Sequence, residues 1–289
     1  MKAPPFRYCR PDSVASALEL LARYGDEARV LAGGQSLLPS LNMRLSAPAV
    51  LVDVSRLAEL RGITEIPGGL RISALSRHQE VERSELVATY APLLACGMRL
   101  VAHPPIRAMG TYGGSLALAD PAAEAPAATL AHEATLVARS LQGERRIRAE
   151  DFFLGLYSTA LQPGELLVAA EFPRPQREHR FVFRELARRS GDFATVGIAL
   201  RAKLTGRRLA EPRIVLFGVS DRPVVAPLAA QALAGKELGQ QSIDAALLAV
   251  GSDVVPWRDL HHDETTKMHL LRVLLKRVLN ELGEGARNA

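Results

Sequence analysis

Two short glycine-rich segments constrain the fold of this chain more than any other feature of its sequence. The first, Ala32-Gly33-Gly34-Gln35-Ser36, lies at the end of a short buried strand predicted over Arg29–Ala32 and opens toward a helix. Glycines at such a junction gather backbone N–H groups at one point, and without Cβ atoms these groups approach a phosphate closely. The segment matches neither the G-x-G-x-x-G pattern nor the P-loop pattern. Alone, it indicates either a tight strand–helix turn or a phosphate-binding turn.

The second segment, Gly110-Thr111-Tyr112-Gly113-Gly114-Ser115, repeats this chemistry of paired glycines flanked by hydroxyl groups. Two amide-rich loops in one unit predict a cradle that holds a pyrophosphate from both sides. Downstream, Asp120 and Glu124 are placed to accept hydrogen bonds from ribose hydroxyls or from a flavin or adenine N–H group. Their alternative roles are helix capping for Asp120 and ordinary surface charge for Glu124. Dinucleotide binding and a purely structural role both stay open at this point.

The composition excludes several other classes of protein. Of the 289 residues, 48% are hydrophobic and 23% are charged, as in ordinary globular proteins. No apolar run approaches the roughly 18 residues of a membrane helix, and Met1–Arg7 lacks the apolar core of a signal peptide. Two cysteines, Cys9 and Cys96, provide neither a disulfide framework nor the ligands of an iron–sulfur cluster. We expect a cytoplasmic protein with no membrane span.

The net charge of +5 does not indicate a nucleic-acid-binding protein. The arginines occur as scattered pairs, and aromatic residues make up only 5% of the chain. Metal and hydrolase chemistry also lack support. His261-His262-Asp263 and His269 have no accompanying cysteine or acidic cluster, and no serine lies in a G-x-S-x-G motif. We therefore predict no nucleic-acid partner, no metal ligand and no catalytic side chain in this chain.

The sequence predicts three structural units. An α/β pattern covers the first segment, with a helix over Val14–Ala22 and a strand over Val50–Val54. A second pattern, the alternation of a half-buried strand, starts at Leu70. A capping box at Ser76–Gln79 predicts the start of one helix, and a further helix is expected over Ala91–Val101. The polar stretch Pro173–Glu178 is the clearest boundary. Beyond it we expect strands over Phe181–Ala187, Phe193–Leu204 and Pro212–Val219, then helices over Pro227–Ala234, Ser242–Val250 and Glu264–Leu282. The expected units are residues 1–56, 57–177 and 178–289.

Taken together, these motifs resemble one family across essentially the whole chain. Ala32–Pro39 with Met43-x-Leu45, Gly110–Leu116 and Asp120–Glu124 are similar to the medium, FAD-binding subunits of molybdenum hydroxylases, the xanthine dehydrogenase and carbon monoxide dehydrogenase family. The similarity includes Arg188-Arg189-x-Gly191-Asp192-Phe193-Ala194 and the terminal helix. It implies an α+β fold, with two subdomains that clasp FAD followed by a C-terminal domain with a three-stranded antiparallel sheet and a helical bundle.

The resemblance also implies roles for individual residues. The two glycine loops would hold the pyrophosphate and ribityl region, Glu124 matches an acidic contact to FAD, and Val101 and Leu167 match apolar contacts. Phe193 matches an aromatic residue near the isoalloxazine ring. The cofactor-binding residues are thus expected to be Ala32, Gly33, Gly34, Gln35, Ser36, Thr111, Tyr112, Gly113, Gly114, Ser115, Glu124, Leu167 and Phe193.

Three positions depart from the family pattern. Ala108 stands where an asparagine is usual, Leu118 where a histidine is frequent, and Glu185 where many members carry a lysine near the flavin. A cation near the flavin stabilises its reduced anion, so a carboxylate at position 185 is expected to lower the flavin potential.

The resemblance implies an electron-transfer subunit that does not itself act on the organic substrate. A large partner subunit would carry the molybdenum–pterin cofactor, and a small one would carry two 2Fe–2S clusters that deliver electrons to the FAD of this chain. An external acceptor would then take them, in an assembly expected to be a dimer of heterotrimers. Two alternatives stay open from the sequence: a stand-alone FAD-dependent oxidase or reductase, and a basic binding module without flavin. The organic substrate and the acceptor are not predicted.

Overall fold

The N-terminal segment forms a small parallel sheet. The computed structural model describes residues 2–206 and 208–285. In its first sheet, the strand at Val50–Asp53 pairs in parallel with a strand on either side. The first helix begins after Ser13, whose side chain accepts a hydrogen bond from the Ser16 N–H, and its apolar face packs on the sheet. The elements are β1 (Arg7–Cys9), α1 (Val14–Tyr24), β2 (Ala28–Leu31), α2 (Leu37–Asn42) and β3 (Val50–Asp53).

The middle segment forms a five-stranded antiparallel sheet in the order β4-β5-β10-β6-β7, with helices between its strands. The strands are β4 (Ile63–Ile66), β5 (Gly69–Ser73), β6 (Thr135–Ser140), β7 (Gly143–Arg148) and β10 (Leu166–Pro173). The helices are α3 (His78–Arg83), α4 (Glu85–Tyr90), α5 (Pro92–Met98), α6 (Pro104–Met109), α7 (Tyr112–Leu118), α8 (Glu124–Ala131) and α9 (Ala149–Phe152). A small hairpin joins β8 (Phe153–Gly155) to β9 (Ser158–Thr159).

The C-terminal segment contains the three predicted antiparallel strands and a two-residue fourth strand at the edge. The helices that follow also lie where the sequence places them. The elements are β11 (His179–Leu186), β12 (Val196–Thr205), β13 (Arg208–Phe217), β14 (Val224–Val225), α10 (Pro227–Leu233), α11 (Gln240–Asp253) and α12 (Glu264–Gly285). Gly206, with φ +59°, lies in the β12–β13 turn, where the left-handed backbone favours glycine.

The C-terminal sheet is buried on both faces. Because side chains alternate along a strand, Phe183, Ala199 and Phe217 join the core of the middle segment. Their neighbours Val182, Ile198 and Leu216 point the other way and pack beneath α10, α11 and α12. This sheet therefore joins the C-terminal helices to the middle segment. Its face toward that segment also carries Glu185, one of the carboxyl groups described below.

The α+β fold class is confirmed, with two local corrections. α5 ends at Met98 rather than at Val101, and Ala102 then turns into the left-handed region at φ +42°. α3 begins at His78, one residue later than a Ser76–Gln79 box requires, since the Glu80 carboxylate accepts the Arg77 N–H at 2.7 Å. No described helix combines the length and apolar character needed to cross a membrane.

Candidate cofactor-binding site

The first glycine loop presents a group of unused backbone N–H donors. It connects the C-terminal end of β2 to α2, and the N–H groups of residues 33–37 donate to no acceptor in the described part of the chain. Gly34 has φ +73°, and the Gln35 side-chain amide folds back onto the Gly33 carbonyl at 3.1 Å. The Ser36 side chain is exposed and bonds to no other described residue. Such a set of donors is suited to an anion.

The two glycine loops lie in direct contact. A Cβ atom on Gly33 would stand 2.4 Å from the Met109 carbonyl oxygen and 3.1 Å from the Thr111 nitrogen. A Cβ atom on Gly114 would stand 2.7 Å from Thr111 Oγ1 and 4.0 Å from the Ala32 Cβ atom. Gly33 is therefore required for the close approach of the loops, and the structure brings the two predicted motifs together.

In the second loop, most backbone N–H groups donate to acceptors within the protein. The Tyr112 and Gly113 N–H groups donate to the Ser76 and Ala74 carbonyls at 2.9 and 2.8 Å, and the Gly114 N–H donates to Thr111 Oγ1 at 3.2 Å. Gly113 lies so close to Ala74 that a Cβ atom would stand 2.4 Å from the Ala74 Cβ. The groups left for a ligand are the Thr111 N–H and the Ser115 hydroxyl, which bond to no other described residue.

The Tyr112 side chain points away from the loops. It is fully buried, its hydroxyl lies 2.7 Å from Thr129 Oγ1, and its ring packs near Phe172. His78 is buried against the same loop, and its Nε2 lies 3.0 Å from the Thr111 carbonyl oxygen. In the sequence, a single histidine in a mixed segment indicates either a packed or capping residue or one that reaches a cofactor, and the structure shows His78 packed.

Three carboxyl groups lie beyond the second loop. Asp120 accepts a hydrogen bond from the Ala122 N–H at 2.9 Å and so closes a turn, while α8 begins later, at Glu124. Glu124 is only 4% exposed. Burial and the nearby charge of Glu185 raise the pKa of Glu124 to about 8, and burial raises the pKa of Glu185 to about 7.

Asp120 also has a partner that the sequence did not reveal. The Tyr157 hydroxyl donates to the Asp120 carboxylate at 3.3 Å from the β8–β9 turn, where Tyr157 has φ +52°. The left-handed conformation is uncommon for an aromatic residue. In the sequence, Gly155 just before this turn is the one residue that could have indicated an unusual backbone conformation near Tyr157.

The residues predicted to make apolar contacts with the cofactor differ in their exposure to solvent. Val101 lies just after α5 and is partly buried, and Leu167 lies within β10 at 4% exposure, next to a register shift. Phe193 is 62% exposed on the β11–β12 loop. That loop contacts the Val101 side of the molecule, because a Cβ atom on Gly191 would stand 2.6 Å from the His103 ring.

The histidines near the C-terminus have structural partners. Asp263 caps α12 by accepting the Thr266 N–H at 2.7 Å, and Asp259 accepts the N–H groups of His261 and His262. In the described ranges, no group of three or more histidine, cysteine, aspartate or glutamate side chains is arranged to hold a metal ion.

The residues present fit a bound dinucleotide. Unused N–H donors of residues 33–37 and the Thr111 N–H converge where the two loops touch, which is the arrangement a pyrophosphate needs. Asp120 and Glu124 follow α7 in the chain, and Glu185 of β11 lies near Glu124. The fold and the contact between the two loops thus indicate a protein of the dinucleotide-binding class.

Comparison with known proteins agrees with this class. Residues 4–175 match the family described as FAD binding domain in molybdopterin dehydrogenase, and residues 181–282 match the CO dehydrogenase flavoprotein C-terminal domain. The 6-hydroxypseudooxynicotine dehydrogenase complex subunit alpha of Paenarthrobacter nicotinovorans is 36% identical over 96% of this chain and 95% of its own. The carbon monoxide dehydrogenase medium chain of Hydrogenophaga pseudoflava is 34% identical over 97% and 98%.

Solved structures show the same fold. A carbon monoxide dehydrogenase from Hydrogenophaga pseudoflava superimposes with a TM-score of 0.93 at 36% identity, covering 97% of this chain and 98% of that one. Quinoline 2-oxidoreductase from Pseudomonas putida 86 also gives 0.93 at 36% identity, with 99% of each chain covered.

The chain belongs to the family of FAD-binding medium subunits of molybdenum hydroxylases. Its cofactor is FAD, and it is an oxidoreductase subunit that transfers electrons. Since the relatives called medium chain or complex subunit match over nearly their full length, these comparisons favour a subunit over the stand-alone enzyme that the sequence left open.

Proposed function

We propose that this chain binds FAD with the pyrophosphate at the contact between its two glycine loops. The N–H groups of residues 33–37 and of Thr111 would bind the phosphates, and the hydroxyls of Ser36 and Ser115 would add hydrogen bonds. The unused donors of the first loop carry this proposal, because several consecutive N–H groups without a protein acceptor, in a loop that is not fully buried, form a suitable binding surface for an anion. The proposed FAD-binding residues remain Ala32, Gly33, Gly34, Gln35, Ser36, Thr111, Tyr112, Gly113, Gly114, Ser115, Glu124, Leu167 and Phe193, with Tyr112 and Gly113 shaping the loop.

The flavin end of the cofactor is assigned to the region of Val101, Leu167 and Phe193. The exposure of Phe193 supports this assignment, since an aromatic side chain at the surface is suited to cover a ring whose edge meets solvent or an acceptor. FAD supplies the electron chemistry when bound, and the protein provides its placement and its electrostatic surroundings.

The electrons are proposed to come from a partner subunit. The relatives include the medium chain of a carbon monoxide dehydrogenase and the alpha subunit of a 6-hydroxypseudooxynicotine dehydrogenase complex. By analogy, a large subunit holds the molybdenum–pterin cofactor, and a small subunit holds two 2Fe–2S clusters that reduce the FAD of this chain. We further propose a dimer of heterotrimers in the cytoplasm. Within the chain, residues 1–56 and 57–177 form the two FAD-binding subdomains and 178–289 the C-terminal domain.

The cradle is tested by purifying the chain alone and measuring its flavin absorption and the mass of the cofactor released on denaturation. We expect stoichiometric FAD in the wild type, and loss of FAD in Gly34→Val and Gly114→Val with the fold retained. A Cβ atom on Gly114 would lie 2.7 Å from Thr111 Oγ1, and Gly34 has φ +73°.

Gly68→Val is the matched control. Gly68 has φ +81° and open space around it in the β4–β5 turn, so this variant carries the same backbone strain far from the loops. Full flavin content in both loop variants would refute the cradle. A wild-type chain that neither contains nor takes up FAD would refute the function as a whole.

A further inference from the structure

A positively charged side chain lies where the two glycine loops meet. Arg77, in the segment between β5 and α3, pairs with Thr111 of the second loop in an isolated antiparallel β-bridge. Its guanidinium group donates a hydrogen bond through Nη1 to the Met109 carbonyl oxygen. The same oxygen is the atom that a Cβ on Gly33 of the first loop would approach to 2.4 Å. Arg77 therefore contacts the carbonyl group against which the two loops close.

The bridge also sets the direction of the free donor in the second loop. The hydrogen bonds on either side of it join residues 76–78 to residues 110–112 at 2.9 and 3.0 Å. In an antiparallel pair bonded in this way, the two bridging residues point their N–H groups outward and their side chains to one face. The Thr111 N–H therefore points away from the strand of Arg77. A Cβ on Gly33 would lie 3.1 Å from the nitrogen of this group.

The guanidinium group of Arg77 forms no ion pair with a carboxylate among the described residues. Glu80, whose charge acts on it, uses its Oε2 atom to accept the Arg77 backbone N–H at 2.7 Å. By contrast, the nearby Arg107 is paired with Glu82 at 2.9 Å. A guanidinium group has five N–H donors, so the bond to Met109 leaves most of those of Arg77 available for a ligand.

A second arginine adds to the positive potential at this place. Arg61, just before β4, is exposed, and its guanidinium group donates to the Ser55 carbonyl at 2.8 Å. Burial and the nearby charge of Arg61 lower the pKa of Arg77, and the charge of Glu80 offsets this only in part. Two like charges held near each other repel, and an anion bound between or beside them relieves that repulsion.

The glycine loops by themselves offer only neutral groups, namely backbone N–H donors and hydroxyls, whereas the pyrophosphate of FAD is doubly negative. A guanidinium group is planar and presents parallel N–H donors that match the spacing of two phosphate oxygens. We propose that Arg77 binds the FAD pyrophosphate at the contact between the two loops and supplies the positive charge that the neutral donors lack. The proposal rests on the FAD site proposed above and adds a residue that lies outside both glycine motifs.

The test is a fluorescence titration of FAD into the cofactor-stripped full chain at low and high salt. At low salt, Arg77→Gln should raise the dissociation constant by about tenfold or more, because a hydrogen bond from a charged group to the phosphate is lost. Salt screens charge pairs, so the wild-type constant should rise more steeply with salt than that of Arg77→Gln. Arg77→Lys keeps the charge without the planar fork, and it should retain the wild-type salt dependence with part of the affinity.

Arg83→Gln is the matched control. Arg83 is exposed at the end of α3, so this variant removes one positive charge from the same segment without touching the loops. Its FAD affinity and salt dependence should follow the wild type. Circular dichroism of each variant establishes that the fold is retained.

A measurement on the wild type needs no substitution. Phenylglyoxal modifies accessible guanidinium groups, and Arg77 is partly exposed. Bound FAD should protect Arg77 from modification, as mapped by mass spectrometry of the digested chain, whereas Arg83 should react equally with and without FAD.

The outcomes separate this proposal from the FAD site on which it rests. Wild-type affinity in Arg77→Gln, or equal modification of Arg77 with and without FAD, overturns the role of Arg77 and leaves the glycine-loop site intact. A weaker Arg77→Gln that keeps the wild-type salt dependence also overturns it, because Arg77 would then only support the Met109 carbonyl. A wild-type chain that binds no FAD overturns the proposed site itself and the role of Arg77 with it. If Arg77→Gln does not fold, the protection of Arg77 by FAD decides alone.

Discussion

At the scale of single residues, the middle segment depends on polar groups buried without charge. His132 at the end of α8 is 2% exposed, and its Nε2 accepts the Leu93 N–H at 3.1 Å. Its ring also packs against Phe172 and Phe181. Burial lowers the pKa of His132 to about 3, so the folded protein holds this imidazole neutral.

This predicts an acid sensitivity that can be assigned to one side chain. The folded pKa of His132 lies below the ordinary value of 6.5, so its contribution is intact above pH 6.5 and is lost as the pH falls toward 3. His132→Gln keeps an acceptor for Leu93 but takes up no proton. Below pH 6.5, the difference in unfolding free energy between variant and wild type should shift in the variant's favour by about 1.4 kcal/mol per pH unit.

The measurement is urea unfolding of both proteins at several pH values. Comparing the two proteins cancels the opposite contributions of Glu124 and Glu185, which are common to both. His269→Gln, at an exposed position, should leave the pH dependence unchanged. A constant difference between His132→Gln and wild type across this range would contradict the assignment.

The glycine loops show what residue patterns reveal and what they leave out. Paired glycines with flanking hydroxyls were enough to predict that the two loops meet. The pattern could not reveal that Gly113 serves the contact with Ala74, or that the Tyr112 and Gly113 N–H groups are consumed by residues 74–76. Those partners come from a distant part of the sequence, so only the tertiary structure defines which donors remain free.

At the scale of elements, the long C-terminal helix is the best-specified feature of the chain. α12 covers Glu264–Gly285, close to the predicted range, because Leu271, Leu275 and Val278 recur at helical spacing and are all buried. By contrast, β7 (Gly143–Arg148) was not predicted. Its sequence is mostly charged, and its exposed side chains leave no apolar alternation to detect. Edge position and ion pairing, such as that of Arg146 with Glu171, allow it to form a strand.

The start of α12 gives the prediction at this scale. Asp263 accepts the Thr266 N–H at 2.7 Å and so satisfies one of the free donors of the first turn. Asp263→Ala should lower the free energy of unfolding by about 1 kcal/mol, measured by urea denaturation followed by circular dichroism. Asp263→Asn retains a capping oxygen and should lose much less. Equal losses in both variants would show that the hydrogen bond from the Thr266 N–H to the side chain at position 263 does not stabilise the helix.

At the scale of the whole molecule, the C-terminal sheet makes the chain one cooperative structure. Phe217 lies on the face of β13 that joins the middle segment, where its ring packs near Phe183 with centroids 5.3 Å apart. Its neighbour Leu216 is buried among the C-terminal helices. A sheet sandwiched in this way couples the stability of the proposed FAD-binding region to that of the helical bundle, and the Pro173–Glu178 boundary in the sequence gave no sign of this coupling.

This coupling predicts the behaviour of Phe217→Ala. Removing a fully buried phenylalanine costs about 3–5 kcal/mol, through lost burial and the cavity left behind. The single tryptophan, Trp257, reports on the C-terminal segment, whereas release of flavin reports on the cofactor site. We expect both signals to change at one urea midpoint in the wild type, and both midpoints to fall together in Phe217→Ala. If the tryptophan midpoint moved while flavin release did not, the two regions would unfold independently. The sheet would then be an interface between separate units rather than a shared core.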